Sequence, residues 1–137
     1  MAQYPTVTYP SGRAINYNLG TGMHDLTAMV NGAGWTANTY TARAGGGRAN
    51  ATILNAAVNL IAVCATAADS VKLPPAVGGQ VMWIINAGSA ASQMFAADGT
   101  TDTINGVAAA TGVSLAAGKA DVLMSPLPGA WFSVTGA

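Results

Sequence analysis

The stretch Gln80–Asn86 places the strongest constraint on how this chain can fold. Its sequence, Gln-Val-Met-Trp-Ile-Ile-Asn, contains five consecutive apolar residues that are rich in β-branched and aromatic types. Gly78 and Gly79 precede the stretch and Gly88 follows it, which leaves too little room for a helix of ten or more residues. A short apolar run between such turn residues predicts a strand that is buried on both faces.

The second half of the chain repeats this arrangement of a short strand followed by a turn. Strand-like segments such as Ser70–Leu73, Gln93–Ala96, Asp121–Met124 and Trp131–Val134 recur with Gly, Pro or Asp turns between them. At 137 residues the chain is long enough for one domain with a real core. We therefore predict an all-β fold: a jelly-roll-like β-sandwich of about eight short antiparallel strands with an extended N-terminal arm.

The segment Ala51–Ala68 is compatible with two structures. Its Ala-rich composition, with Leu54, Val58 and Ile61 at helical spacing, permits an amphipathic helix. Alternate residues of the same segment would also fall on opposite faces of a strand, and the segment ends without the glycine that commonly caps a helix. We favour a strand over Val58–Ala65.

The first 50 residues differ in character from residues 51–137, which we predict to form the sandwich core. Two Tyr-Pro pairs within residues 1–12 favour an extended arm, because proline disfavours helix both at its own position and before it. Ala14–Leu19 alternates like a half-buried strand, and Trp35–Ala42 also has strand character. The Gly-rich segment Arg43–Asn50 is interpreted as a flexible hinge that separates the two regions.

Five of the nine aromatic residues lie in the first 40 positions, and three arginines are close by. Tyr and Trp are common anchors of protein interfaces, so this region is a candidate contact surface. The alternative is that these side chains belong to the core of the first strands. The candidate contact residues, for a capsid or for a neighbouring copy, are Tyr4, Val7, Tyr9, Arg13, Tyr17, Trp35, Tyr40, Arg43 and Arg48.

Charge is scarce in this sequence. Five basic residues face five aspartates, with no glutamate, so 7% of residues are charged, against about 25% in an ordinary soluble domain. Either neighbours cover much of the surface in an assembly, or Ser, Thr, Asn and Gly solvate it. Nucleic acid is disfavoured as a partner because no basic stripe is present. We expect no membrane span, since Asn55 and Asn59 interrupt the longest apolar segment.

No pattern of residues indicates a reaction. His24-Asp25 is the single histidine beside a carboxylate, which is weak evidence for a catalytic triad. The segment Asp98–Asp102 superficially resembles a calcium loop, but two carboxylates favour a hairpin turn instead. Cys64, the only cysteine, lies in an apolar stretch and is interpreted as a small buried hydrophobe. We predict no enzyme activity, no cofactor and no metal.

The second half resembles a module of small β-rich virion proteins of tailed bacteriophages. The resemblance begins with a leucine–proline–Ala-Val-Gly segment at Asp69–Gly79 and continues with Ile85-Asn86-Ala87-Gly88. It resumes at Ile104-Asn105-Gly106 with Val113–Lys119, and ends at Gly129–Val134. It covers roughly residues 51–137.

The resemblance implies a head decoration (cement) protein with a jelly-roll-like sandwich. Such a protein would sit on the outer surface of the virion capsid and bind neighbouring major capsid protein subunits, stabilising the head against the pressure of packaged DNA. We also expect contacts with copies of itself, as a homodimer or homotrimer. The alternative is a receptor- or carbohydrate-binding module of a tail fibre or baseplate, with Trp35 and Tyr40 as a stacking platform.

Overall fold

The structure is a computed structural model, and it describes residues 6–8, 14–16 and 36–135. The chain divides into two compact units, Met1–Thr36 and Ala37–Ala137. In the first unit, β1 (Thr6–Thr8) and β2 (Ala14–Asn16) form an antiparallel pair. The strand expected at Ala14 is therefore confirmed over its first three residues.

The second unit is all-β, with one sheet of six strands and one of four around a common core. The six-stranded sheet contains β3 (Ala37–Thr41), β5 (Val58–Val63), β7 (Gln80–Asn86), β9 (Thr103–Ile104), β11 (Ala120–Leu127) and β12 (Ala130–Thr135). The four-stranded sheet contains β4 (Thr52–Ile53), β6 (Ser70–Lys72), β8 (Ser92–Phe95) and β10 (Val113–Leu115). A short helix, α1 (Gly47–Asn50), joins β3 to β4.

The first six strands of this unit stack as successive coils. From β3 to β8 the chain alternates between the two sheets, so that each strand lies beside the strand two positions earlier and runs parallel to it. Val58 pairs with Trp83 in one sheet, and Thr52 pairs with Val71 in the other. Parallel neighbours need a long crossover connection, and here a strand of the opposite sheet supplies it. The result is a solenoid-like stack.

The four remaining strands complete the two sheets after the third coil, and all but β9 pair in antiparallel fashion. In the four-stranded sheet β10 pairs with β8, and in the six-stranded sheet β11 pairs with β7 and then with β12. The short β9 joins the far edge, parallel to β12. The six-stranded sheet therefore has the order β3-β5-β7-β11-β12-β9.

The expectation of an antiparallel sandwich is correct in class and wrong in strand direction. The strands of the second unit are arranged in two mixed sheets, and a jelly roll specifically is not confirmed. Short strands with turns between them fit hairpins and solenoid corners equally well. Here consecutive strands such as β5 and β6 lie in different sheets, so the turn between them is a corner and not a hairpin.

Strand β7 has the predicted bounds but is buried on one face only. Met82, Ile84 and Asn86 point into the core, whereas Val81, Trp83 and Ile85 are exposed. The prediction of burial on both faces is therefore wrong. The core lies between the two sheets, and its largest fully buried side chain is Trp131, whose Nε1 donates to the carbonyl of Pro74 at 3.2 Å.

Buried asparagines and one close backbone approach fix the corners of successive coils. The Nδ2 group of Asn59 donates to the carbonyls of Ala56 and Trp83, and that of Asn86 donates to those of Ala90 and Leu115. These bonds attach the corner segments at Ala56 and Ala90 to the neighbouring strands through side chains that are themselves buried.

Gly88 lies against Cys64 of the preceding coil. A Cβ atom on Gly88 would be 2.5 Å from the Cβ atom and 2.6 Å from the backbone nitrogen of Cys64, so only glycine fits there. The interpretation of Cys64 as a buried small residue is confirmed, since it is 1% exposed.

The structure defines both the Ala-rich segment and the Gly-rich segment that precedes it. Residues 58–63 form strand β5, which confirms the strand interpretation of the Ala-rich segment. Residues 43–50, expected to be a flexible hinge, form a defined part of the second unit. The backbone of Arg43 pairs with the backbone of Ser70 in an isolated antiparallel bridge, and α1 packs beside β6.

Two isoleucines in two-residue strands provide a matched test of the core. Ile104 in β9 is 2% exposed, and Ile53 in β4 is 56% exposed. We expect Ile104→Ala to lower the free energy of unfolding by about 2–5 kcal/mol, because it leaves a cavity. Ile53→Ala should stay within about 0.5 kcal/mol. Urea unfolding followed by circular dichroism measures both, and equal losses would contradict this placement of the core.

Candidate functional site

The outer face of the six-stranded sheet is the most unusual surface of the described chain. Its outward-pointing side chains on four neighbouring strands are almost all large and apolar. We call this surface the apolar face. It consists of Val58 and Leu60 on β5, Val81, Trp83 and Ile85 on β7, Val122 and Met124 on β11, and Phe132 and Val134 on β12.

The strand register aligns these side chains in rows across the sheet. The central row contains Val58, Trp83, Val122 and Val134, each directly opposite the next. Residues opposite each other in adjacent strands project from the same side of a sheet. Trp83 therefore has a valine on each side across the strands and lies at the middle of the apolar face.

The exposure of this surface is high for a row of apolar residues. Six of the nine side chains are between 37% and 57% exposed. If a fully exposed large side chain presents roughly 150–250 Å², these six together leave about 400–700 Å² of surface accessible. The largest apolar patch of an ordinary monomer is about 300–600 Å² and is often functional, so a patch of this size is a candidate interaction site.

A shallow groove continues the apolar face at one end of β7. It has a volume of about 440 Å³ and is lined by Val81, Met124 and Phe132, together with Gly79 and Gln80 at the start of β7 and Ser125 and Pro126 in β11. Its walls are almost entirely apolar. Leu127, the last residue of β11, is 65% exposed.

Charged side chains are absent from the outward positions of the described strands in this sheet. Several of the charges of the chain are instead used within the fold. Lys72 donates to the carbonyl of Ala49 at 3.0 Å and to Asp98, while Arg48 donates to the carbonyls of Ala96 and Ala97 and lies 3.5 Å from Asp98. These contacts attach α1 to the four-stranded sheet.

Two buried aspartates act as acceptors for backbone groups in loops. Asp102 accepts a hydrogen bond from the backbone N–H of Ala76 at 2.7 Å. Asp69 accepts from the hydroxyl of Thr66 at 2.6 Å and from the backbone N–H groups of Ala65 and Thr66 at 2.7 and 3.1 Å. Donors that favour the ionised form, led by the Thr66 hydroxyl, lower the pKa of Asp69.

The contact residues expected from sequence divide into two groups. Tyr4, Tyr9, Arg13, Tyr17 and Trp35 lie outside the described residues, and Val7 lies in β1. The other three, Tyr40, Arg43 and Arg48, belong to the second unit.

Of these three, only Arg43 has an exposed side chain. Tyr40 is half-buried, and its hydroxyl donates to Asn55 Oδ1 at 2.7 Å. The guanidinium of Arg48 is engaged by main-chain carbonyls. The proposed contacts of these residues with a partner remain predictions.

Features that could have supported chemistry have structural roles where they are described. Burial raises the pKa of the Cys64 thiol, which disfavours the reactive thiolate. Asp98 and Asp102 belong to one loop, but Asp98 pairs with basic side chains and Asp102 binds a backbone N–H group. The described residues contain no group of three or more His, Cys, Asp or Glu that could hold a metal ion. His24 and Asp25 lie outside the described residues.

The apolar face was not predicted from the sequence, although a signal for it exists. Strands β7, β11 and β12 are adjacent, and each carries apolar residues at inward and outward positions alike. A two-sheet fold can cover only one side of such strands. Three neighbouring strands of this kind therefore indicate an apolar face that the two sheets of the second unit do not bury.

Comparisons with known proteins do not add a family to this description. No family model matches the chain, and neither the curated proteins nor the solved structures that were searched contain a match. Among the described residues, no helix is both long and apolar enough to cross a membrane.

The hydrogen bonds of Asp69 predict a dependence of stability on pH. The pKa of Asp69 is lower in the folded chain than in the unfolded chain, so its contribution is complete above the ordinary value near pH 4 and disappears as the pH falls through the folded-state value. We expect Asp69→Asn to destabilise the chain at pH 7 and to flatten the loss of stability between about pH 5 and pH 2.

Denaturant titrations at several pH values measure this slope. Thr66→Val, which removes one donor and keeps the carboxylate, should flatten the slope less than Asp69→Asn. An unchanged slope in Asp69→Asn would contradict the assignment.

Proposed function

We propose that this chain is a structural virion protein, a decoration (cement) protein on the outer surface of a tailed-bacteriophage head. It would bind across neighbouring major capsid protein subunits and stabilise the shell against the pressure of packaged DNA. The observation that carries the proposal is the uncharged apolar face, because such a surface belongs to a protein that works with that surface covered. The resemblance of residues 51–137 to phage virion modules supplies the particular setting.

The second unit has the rigidity that a protein needs in order to hold neighbouring capsid subunits together. Its two sheets share one core, and α1 and the loops are attached to them by Arg48, Lys72 and Asp69. A rigid block loses little conformational entropy on binding, so more of the contact energy appears as affinity. Its resemblance to phage virion modules is carried by sequence motifs alone.

Many weak contacts are sufficient for this function. Covering about 400–700 Å² of apolar surface stabilises a contact by roughly 10–17 kcal/mol before costs, at about 25 cal/mol per Å². Association costs about 4–15 kcal/mol in lost freedom, so one such contact alone is modest. A capsid presents many sites side by side, and the high effective concentration on the shell strengthens the attachment of each copy.

We assign the capsid contact to the first 50 residues. The aromatic and arginine residues of that segment are suited to anchor an interface. Under this proposal Tyr4, Tyr9, Tyr17 and Trp35 bind the major capsid protein, with Arg13 and Arg43 at the rim.

A tail-fibre or baseplate adhesion module is the second candidate. The exposed ring of Trp83 favours it, because aromatic rings stack on sugars. Against it, ligand sites combine such rings with a few convergent polar groups, and the outward neighbours of Trp83 are Val58 and Val122. Counting copies on the particle separates the two: several hundred on the head support decoration, and a handful at the tail support adhesion.

Removing residues 1–12 tests the capsid contact. We expect at least a tenfold loss of affinity for heads that lack the protein, because the Tyr4 and Tyr9 anchors are removed. The second unit should remain folded, since it is a compact unit of its own. Co-sedimentation with undecorated heads measures binding, and the melting temperature reports folding.

A full-length variant provides the control for chain length. Tyr4→Ser combined with Tyr9→Ser should reproduce most of the loss. If the truncated chain binds heads as tightly as the full chain, the N-terminal residues do not make the capsid contact.

A further inference from the structure

We infer that the apolar face packs against the same face of a second copy of this chain, with the two-fold axis near Trp83. This inference deepens the proposed function, because it names the partner of one particular surface. It rests on that function only for its setting on a capsid. The contact itself is a property of the purified chain.

The absence of charge on the face is the first argument for a second copy. Interfaces between different proteins commonly use complementary charge to guide the encounter and to exclude wrong partners. The outward positions of the described strands provide no charge for this purpose. An uncharged apolar surface is self-complementary, since placing two of them together creates neither repulsion nor an unpaired charge.

The shape of the face is the second argument. Sheets that pack face to face lie about 10 Å apart with interdigitated side chains. Trp83 stands in the central row between Val58 and Val122, so a large ring is flanked by smaller side chains. In an isologous pair the large ring of each copy can fill the space above the smaller residues of the other. A central aromatic side chain surrounded by aliphatic ones is the usual pattern of an energetic hot spot.

The accessible area is the third argument. A stable interface buries about 800 Å² on each partner. The six most exposed side chains of the apolar face provide about 400–700 Å². The half-buried Val58, Leu60 and Val122 add to this area. The total is close to the requirement of a dimer of moderate affinity.

Sedimentation velocity of the full-length chain tests the inference. Between about 1 and 300 µM we expect the sedimentation coefficient to rise from that of a monomer to that of a dimer. Trp83→Ser removes the central ring, and Val134→Asp introduces a charge at a position that is 57% exposed. Each variant should weaken the association at least tenfold.

Ile53→Ser is the matched control. Ile53 is an exposed apolar residue, 56% accessible, on the four-stranded sheet, so its replacement removes similar surface from another face. Its association should equal that of the unchanged chain. Far-UV circular dichroism and melting curves of all three variants show whether each is folded, and the two face variants test the inference independently if one of them is not.

Three results would overturn the inference. They are a chain that stays monomeric to 300 µM, association that survives both face variants, and association that Ile53→Ser weakens equally. The proposed function has a separate readout in the binding of undecorated heads. A chain that binds heads but never self-associates would refute the inference and leave the decoration function intact.

Discussion

The second unit depends on one core shared by two sheets, and a core of this kind can bury only one face of each sheet. Met82, Ile84, Leu123 and Trp131 occupy the inner face of the six-stranded sheet and are at most 5% exposed. The outer face of the same strands is equally apolar. The architecture therefore leaves an apolar layer that the described part of the chain does not cover, and its burial requires a third layer.

The scarcity of charge has a structural explanation in this arrangement. Lys72 and Asp69 are buried and satisfy backbone groups, and Arg48 binds the carbonyls of the β8–β9 connection. Charge is thus used to attach loops and α1 to the sheets. A protein that carries out its function in an assembly has less need of surface charge for solubility than a freely diffusing monomer.

The sequence predicted individual strands well, because local patterns determine them. The bounds of Gln80–Asn86 follow from glycines before and after the strand, and the alternation of Val58–Val63 outweighs its Ala-rich surroundings. The pairing of the strands with one another was not predictable from the sequence. A turn such as the one after Val63 does not determine whether the next strand lies beside the preceding strand or crosses to the other sheet. Parallel stacking is a long-range property.

The apolar face was missed for a related reason. Apolar residues at both the odd-numbered and the even-numbered positions of Val81–Ile85 indicate that both faces of the strand are covered. A single sequence does not say which molecule covers the second face. The role of Arg48 was equally hidden, since its neighbouring glycines indicate flexibility and its carbonyl partners at Ala96 and Ala97 are distant in sequence.

Hydroxyl-radical footprinting tests most directly whether the apolar face is covered in the working state. Met124 and Trp83, 41% and 42% exposed, are readily oxidised reporters on the face, while Met94 is fully buried and serves as an internal reference. The chain should be compared in its assembled form and in dilute solution. The account predicts that assembly protects Met124 and Trp83 several-fold and leaves Met94 unreactive in both states. Equal oxidation of Met124 and Trp83 in the two states would contradict it.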